Sequence, residues 1–389
     1  MTHSTTDAAA ELRRALAADL IERGEVRTGR WRDAVQEVPR EVFLGEAVYR
    51  LTEDGSAWRP VRRDRLGEQE WLELAYQDVS WVTQVDGVDA ADAMGDVVGS
   101  PTSSSTLPSL VVAMLEDMDI GAGQRVLEIG TGTGYSTALL CQALGDARVT
   151  SVEVDSGVAA AAAAALARVG HRPRLLVADG VLGDLDGLAD DRRYDRLVAT
   201  CSFRYLPPPW LDQVRPGGTI LFTLSGWMHA NAQALLTVTD DACAEGRFLT
   251  GHRSFMLARP HQPPPAGPLL YPPAGAERPS ALGPEVLREP TARLLAQLAA
   301  PGAVAVATSR DVLLWDIASG SRTHVQPEDG GWRVRQSGPV RLWDQVEDAI
   351  RTWHDHGSPD ISRFGLTATP AEQRLWLDSP QGPSWRLPI

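Results

Sequence analysis

From Val126 to Leu140 the chain reads VLEIGTGTGYSTALL, an apolar run closed by Gly130, Gly132 and Gly134 and followed by a helix-like stretch from Ser136 to Leu144. Strand, glycine turn and helix start in this order make a ligand cradle: glycine allows positive φ and close approach, and a helix start offers unpaired N–H groups. Such a turn also serves dinucleotides and ordinary loops, so the residues around it decide the ligand. Glu128 stands two positions before the first glycine, Glu153 closes the next apolar run, Val149 to Val154, and no phosphate-loop lysine follows. An acid beside the glycines would repel a pyrophosphate but suits a sulfonium, and an acid at the end of the second strand suits ribose hydroxyls. These residues point to S-adenosylmethionine.

Further motifs follow in order: VTSVEVD from Val149, ADG at Ala178 to Gly180, YDRLVAT from Tyr194 and LDQVRPGGTILF from Leu211, with VPREVF at Val38 to Phe43 upstream. Together with the glycine turn they resemble the successive motifs of protein-L-isoaspartate O-methyltransferases, over roughly Trp31 to Leu257. The resemblance implies a cofactor set of Glu128, Gly130, Thr131, Gly132, Gly134, Tyr135, Glu153, Val154, Asp179, Gly180 and Thr200, with Asp179 accepting from the adenine amino group. It also places Thr106, in PTSSSTLPS before a helix from Leu110 to Met118, on the hydroxyl that lies at the acceptor carboxylate, with Ser105 beside it. The segment departs from the family pattern at Ser109, where an aromatic residue or histidine is usual, and a plain reading makes Ser109 the cap of the helix. A carboxylate acceptor is already ionised near neutrality, so catalysis there is alignment and removal of water rather than strong base chemistry.

Composition narrows the partners. A net charge of −14 argues against nucleic acid, whose binders present a basic face. Cys141, Cys201 and Cys243 are scattered without C-x-x-C spacing, so neither a disulfide framework nor a metal site is expected. No N-terminal apolar region and no run near the eighteen or so residues of a membrane span appears, which reads as a cytoplasmic protein that does not engage a membrane.

The elements that must position these residues alternate helices with short apolar runs. The expected fold is α/β: a doubly wound, Rossmann-like S-adenosylmethionine-dependent methyltransferase core with N-terminal helices and a smaller α+β C-terminal domain. The boundaries are 1–100 for the N-terminal helical and substrate-side region, 101–258 for the core, 259–290 for a proline-rich linker and 291–389 for the C-terminal domain. The first ten residues read as disordered, with a helix from Ala10 and a second from Trp31 to Val38, which Pro39 stops. Trp58, Trp71 and Trp81 fall in a weakly patterned stretch that either lines a substrate entrance or packs the core. Strands are expected at Phe255 to Leu257, Val304 to Thr308, Val312 to Trp315, Phe364 to Thr369 and Arg374 to Leu377, and helices at Ala292 to Leu298 and Val340 to Trp353.

Half of the twelve tryptophans follow Asp311, and such an aromatic extension either binds a peptide or covers the core. With the tail RFGLTATP…WLDSP…W it resembles the methyltransferases that partner ATP-grasp ligases in ribosomal peptide (graspetide) maturation, whereas plain repair enzymes usually stop near the end of the core. That resemblance implies esterification of an aspartate in a precursor peptide, unmodified or already crosslinked by the ligase, leading to aspartimide and onward to isoaspartate. The alternatives are an isoaspartate repair enzyme and, from another class, an inactive cofactor-binding scaffold.

Overall fold

Val126 to Ile129 is apolar at every position but Glu128, and the strand it forms is buried along its whole length, as expected in a parallel sheet covered on both sides. The computed structural model describes residues 5–189, 193–239, 242–265, 275–308 and 310–389 and divides the chain into two compact units. One comprises residues 1–200 with 212–221, the other residues 201–211 with 222–389. The expected boundary at the proline-rich stretch is therefore replaced by a division that falls inside two strands.

In the first unit, α1 (Thr5–Glu22) and α2 (Gly29–Glu37) precede β1 (Ala47–Leu51), β2 (Trp58–Arg62), α3 (Arg63–Leu66), α4 (Glu68–Ala75), β3 (Trp81–Val85), β4 (Val88–Asp89) and β5 (Pro101–Ser105). The helix expected from Ala10 starts at Thr5 instead, because the alanine-rich start has high helix propensity and Asp7 sits in its first turn. The stretch expected to be helical or irregular is an antiparallel sheet of order β2-β1-β3-β4, with β5 also paired to β3. Its pattern is hard to read because β3 is buried at every position while β4 is exposed, so neither alternates. Trp71 and Trp81 are buried and Trp58 packs on the cluster of Tyr49, Val82 and Val85, so these indoles are packing residues rather than an entrance lining.

Next come α5 (Pro108–Asp117), β6 (Val126–Ile129), α6 (Tyr135–Leu144), β7 (Val149–Glu153), α7 (Ser156–Arg168), β8 (Arg174–Val177), α8 (Leu185–Ala189), β9 (Tyr194–Phe203), α9 (Pro209–Gln213) and β10 (Val214–Leu224). β6 runs parallel to both β7 and β9, and β7 to β8, with Ile129 level with Val152 and Ala199. This is the Rossmann-like, doubly wound arrangement, and it gathers the carboxyl ends of β6, β7, β8 and β9 at one edge. The order β9-β6-β7-β8 reverses direction at β6, the switch point where α/β sheets take ligands.

In the second unit, β11 (Ala232–Val238), β12 (Ala244–Phe248), β13 (Ala276–Ser280), α10 (Pro290–Ala299), β14 (Ala303–Ala307), β15 (Val312–Asp316), β16 (Arg322–Glu328), β17 (Gly331–Ser337), α11 (Leu342–Asp355), β18 (Phe364–Ala368), β19 (Gln373–Leu377) and β20 (Ser384–Arg386) form two antiparallel layers. Their orders are β11-β12-β18-β19-β20 and β13-β17-β16-β15-β14. β12 pairs with β18, Gly246 opposite Leu366, so the last strands complete the sheet of the 232–248 hairpin and no separate C-terminal domain begins at 291. Within the expected linker, 266–274 lies outside the described residues and Ala276–Ser280 is a strand paired to β17. Phe255 to Leu257 is not a strand but contributes a single bridge, Leu257 to Ser202. Trp343, Trp353 and Trp376 are buried, so these three fill the unit's own core.

Candidate active site

The glycine turn is built as its residue types require. Gly130, Gly132 and Gly134 have φ of 98°, 53° and 92°, all in the region that L side chains avoid. The Gly130 N–H donates to the Val152 carbonyl at 2.8 Å and the Gly132 N–H to Glu153 Oε2 at 2.9 Å, so the turn is fastened to the end of β7. Glu153 also accepts from the Asp155 N–H at 3.1 Å. Exposed Val154 follows it, and the Ala178 N–H donates to the Glu153 carbonyl at 2.9 Å, tying in the end of β8. There Asp179 accepts from the Val181 N–H at 2.9 Å, and a Cβ on Gly180 would stand 2.6 Å from Ile129 Cγ2. Only glycine fits. Thr200, at the end of the β9 segment in this unit, donates to the carbonyls of Ile129 and Gly130.

Three predicted cofactor residues sit differently from the expectation. Glu128 is fully buried and its carboxylate is taken by hydroxyls: Ser136 Oγ at 2.5 Å, Ser151 Oγ at 2.7 Å and Thr137. Burial pushes this carboxyl above the ordinary range, and the three hydroxyl donors oppose the shift. It supplies charge and anchors the helix start rather than presenting an open ligand atom. Tyr135 is buried against Phe43, ring centroids 5.9 Å apart, and burial pushes its hydroxyl up to about 12. Its side chain is packing. Thr131 is likewise buried, 2.6 Å from Ser151 Oγ.

The acceptor segment reaches the turn. β5 ends at Ser105, and a Cβ built on Gly132 would lie 3.5 Å from the Ser104 carbonyl oxygen. Ser105 Oγ is buried without a hydrogen-bond partner among the described residues, while Thr106 is half-buried. Ser109 is not the cap of the helix. α5 begins earlier, with Pro108 in its first turn and Leu107 at the cap position, and Asp78 from outside accepts the Ser109 N–H at 2.8 Å. Ser80 Oγ accepts the Leu107 N–H at 3.0 Å.

Sequence reasoning missed three features here. Arg40, in VPREVF, is wholly buried against this segment. A cavity of about 240 Å³ opens beside Gly132 and Thr133, lined also by Phe43, Thr83, Asp89 and Ser103. Burial, then Asp92 and Asp155, raise the Asp89 carboxyl above its ordinary value. The third is a grouping of Cys141, Asp146 and His171, with donor atoms within 4.8 Å of one another, where no metal site was expected. Burial pushes the Cys141 thiol up, and Asp146 is already engaged by the Arg172 N–H and by His171 Nδ1 at 2.9 Å. Among the described residues no helix is long and apolar enough to cross a membrane.

With the geometry in place, comparison with known proteins shows what the chain is similar to. Residues 56–245 match the sequence model of the protein-L-isoaspartate(D-aspartate) O-methyltransferase family. The chain is 33% identical over 144 residues to protein-L-isoaspartate O-methyltransferase 2 of Syntrophobacter fumaroxidans, covering 37% of this chain and 54% of the relative. It is 36% identical over 141 residues to the protein-L-isoaspartate O-methyltransferase of Anaeromyxobacter dehalogenans, covering 35% and 61%. The chain thus spans little more than half the length of these two relatives. A solved protein-L-isoaspartate O-methyltransferase aligns with a TM-score of 0.55 at 19% identity, covering 94% of this chain and 100% of its own, which is a likeness of fold. That likeness of fold extends well past the core.

Proposed function

We propose that this chain is an S-adenosylmethionine-dependent O-methyltransferase that esterifies the free carboxylate of isoaspartyl residues in peptides. The observation that carries the reading is the approach of the acceptor segment to the cofactor turn, the Ser104 carbonyl lying 3.5 Å from where a Gly132 side chain would start. S-adenosylmethionine, when bound, supplies an electrophilic methyl group on a sulfonium. The residues present fit it: Glu153 at the end of β7, held by the Gly132 N–H, for ribose, Asp179 and side-chain-free Gly180 for adenine, and exposed Val154 and Leu182 as apolar flanks. Buried Glu128 adds negative charge beside the turn, which favours a cation.

The acceptor needs orientation more than activation. Its carboxylate is ionised at neutral pH, so Thr106 and Ser105 act as donors that fix one oxygen while the surrounding segment excludes water. After methylation the ester carbonyl is open to the neighbouring backbone nitrogen, which closes a succinimide and releases methanol.

A second acceptor is favoured by the departures in the acceptor segment, the run Ser103 to Ser105 and Ser109 after the proline. On that reading the acceptor is an aspartate in a ribosomally made precursor peptide, and the product is an aspartimide. The intact glycines and the Asp179–Gly180 pair speak against an inactive scaffold. Labelled S-adenosylmethionine offered with matched peptides, one isoaspartyl and one aspartyl, tests the acceptor. Base-labile label on the isoaspartyl peptide supports the first reading, label confined to a dedicated aspartyl peptide supports the second, and label on neither rejects both.

A further inference from the structure

Arg40 is the largest charge buried in the first unit that has no carboxylate within ion-pair distance among the described residues. It is 0% exposed. Its Nη1 donates to the carbonyls of Ala75 and Gln77, each at 2.7 Å, and its Nη2 to Val79 at 2.8 Å, Thr106 at 3.3 Å and Ser105 at 3.4 Å. Its guanidinium carbon lies 5.8 Å from the centroid of the Tyr135 ring, at the residue that follows Gly134. One side chain therefore contacts the 75–79 strap, the main chain under both acceptor hydroxyls and the helix behind the cofactor turn.

Burying a guanidinium without a counter-ion is unfavourable unless its donors are met; here main-chain carbonyls meet both Nη groups, while Nε is buried without a partner among the described residues. Fully burying a cation would be a costly way to join two loops that Ser80 and Asp78 already fasten through the N–H groups of Leu107 and Ser109. What Arg40 adds is a grip on the carbonyl side of Ser105 and Thr106, which fixes where their side chains leave the backbone. A planar fork suits several carbonyls at once, whereas a lysine ammonium is a point charge with three donors.

We propose that Arg40 is a positioning residue for methyl transfer, holding the Ser105–Thr106 main chain so that both hydroxyls meet the acceptor carboxylate. The inference rests on the acceptor reading above. Arg40→Lys keeps the charge and Arg40→Met keeps much of the volume without it; both are made in the full chain. Both are expected to bind S-adenosylhomocysteine within about twofold of wild type and to lose at least about tenfold in kcat, since small misplacements of aligned groups have effects of this size. Amide exchange at 104–107 should quicken in both variants while that of the Gly130–Gly134 turn stays unchanged. An active wild type with variants of equal kcat and unchanged exchange overturns the role of Arg40 and leaves the acceptor reading intact. Failure of both variants to fold makes Arg40 a structural residue and also overturns it. A wild type that binds S-adenosylhomocysteine but methylates no carboxylate peptide overturns the acceptor reading instead.

Discussion

At the scale of single residues, the polar groups of the site are held before any ligand arrives. Glu153 receives the Gly132 N–H, so replacing either end should act on cofactor binding. Glu153→Ala is expected to weaken S-adenosylhomocysteine by about 1–3 kcal/mol, and Gly132→Val, at a φ of 53° and 3.5 Å from the Ser104 carbonyl, should abolish it; calorimetry reads both. Thr106→Ala should lower kcat far more than cofactor affinity, because a donor to the acceptor matters most in the transition state; unchanged single-turnover rates in it and in the double variant with Ser105→Ala would make the loop merely structural. Glu128 gives a pH signature. Its raised pKa contributes stability that is full below the ordinary carboxylate value of about 4.3 and is lost as pH rises through the folded value. Relative to Glu128→Gln, the wild type should therefore lose melting temperature as pH rises above about 4.3, and parallel profiles would contradict this. The acid was legible from its place beside the glycines. Its burial was not, because Ser151 faces it only through the register of β6 on β7, which local spacing does not reveal.

At the scale of elements, periodicity served where each element has one environment. β6 and α6 were legible because their mostly apolar runs end at glycines, Gly130 and Gly145. The β1–β5 sheet was not, since Pro101–Ser105 contains no apolar residue beyond its proline and is recruited by pairing with β3. Tertiary pairing overrode propensity there. The start of α5 shows the same effect: its cap is Asp78, thirty-one residues away in sequence, and Ser109 looked suitable only locally. Asp78→Ala should cost about 1 kcal/mol or more in denaturant unfolding, by leaving the Ser109 N–H unmet and releasing the Arg23 guanidinium, whereas Ser109→Ala should cost much less. Equal effects of the two would return the cap to Ser109.

At the scale of the whole molecule, the C-terminal tryptophans that suggested a peptide reader are largely core. Trp376 lies under Arg247, 4.7 Å from guanidinium carbon to ring centroid, and donates to Thr367 Oγ1 at 2.9 Å. Trp376→Ala should lower stability by about 3–5 kcal/mol, read by thermal or denaturant melting, whereas the more exposed Trp385→Ala should cost less. A cut after Leu257 would remove β18, the partner of β12, and leave an open edge, which is why the extension is better tested by point substitution. The proline-rich stretch hid this pairing from sequence, because strands far apart in the chain carry no shared local signal. Methyl transfer to a peptide carboxylate is the central claim, and labelled S-adenosylmethionine with the matched isoaspartyl and aspartyl peptides tests it most directly. The expected result is base-labile label on the isoaspartyl peptide, absent with Gly132→Val; no label on either peptide from folded protein would contradict it.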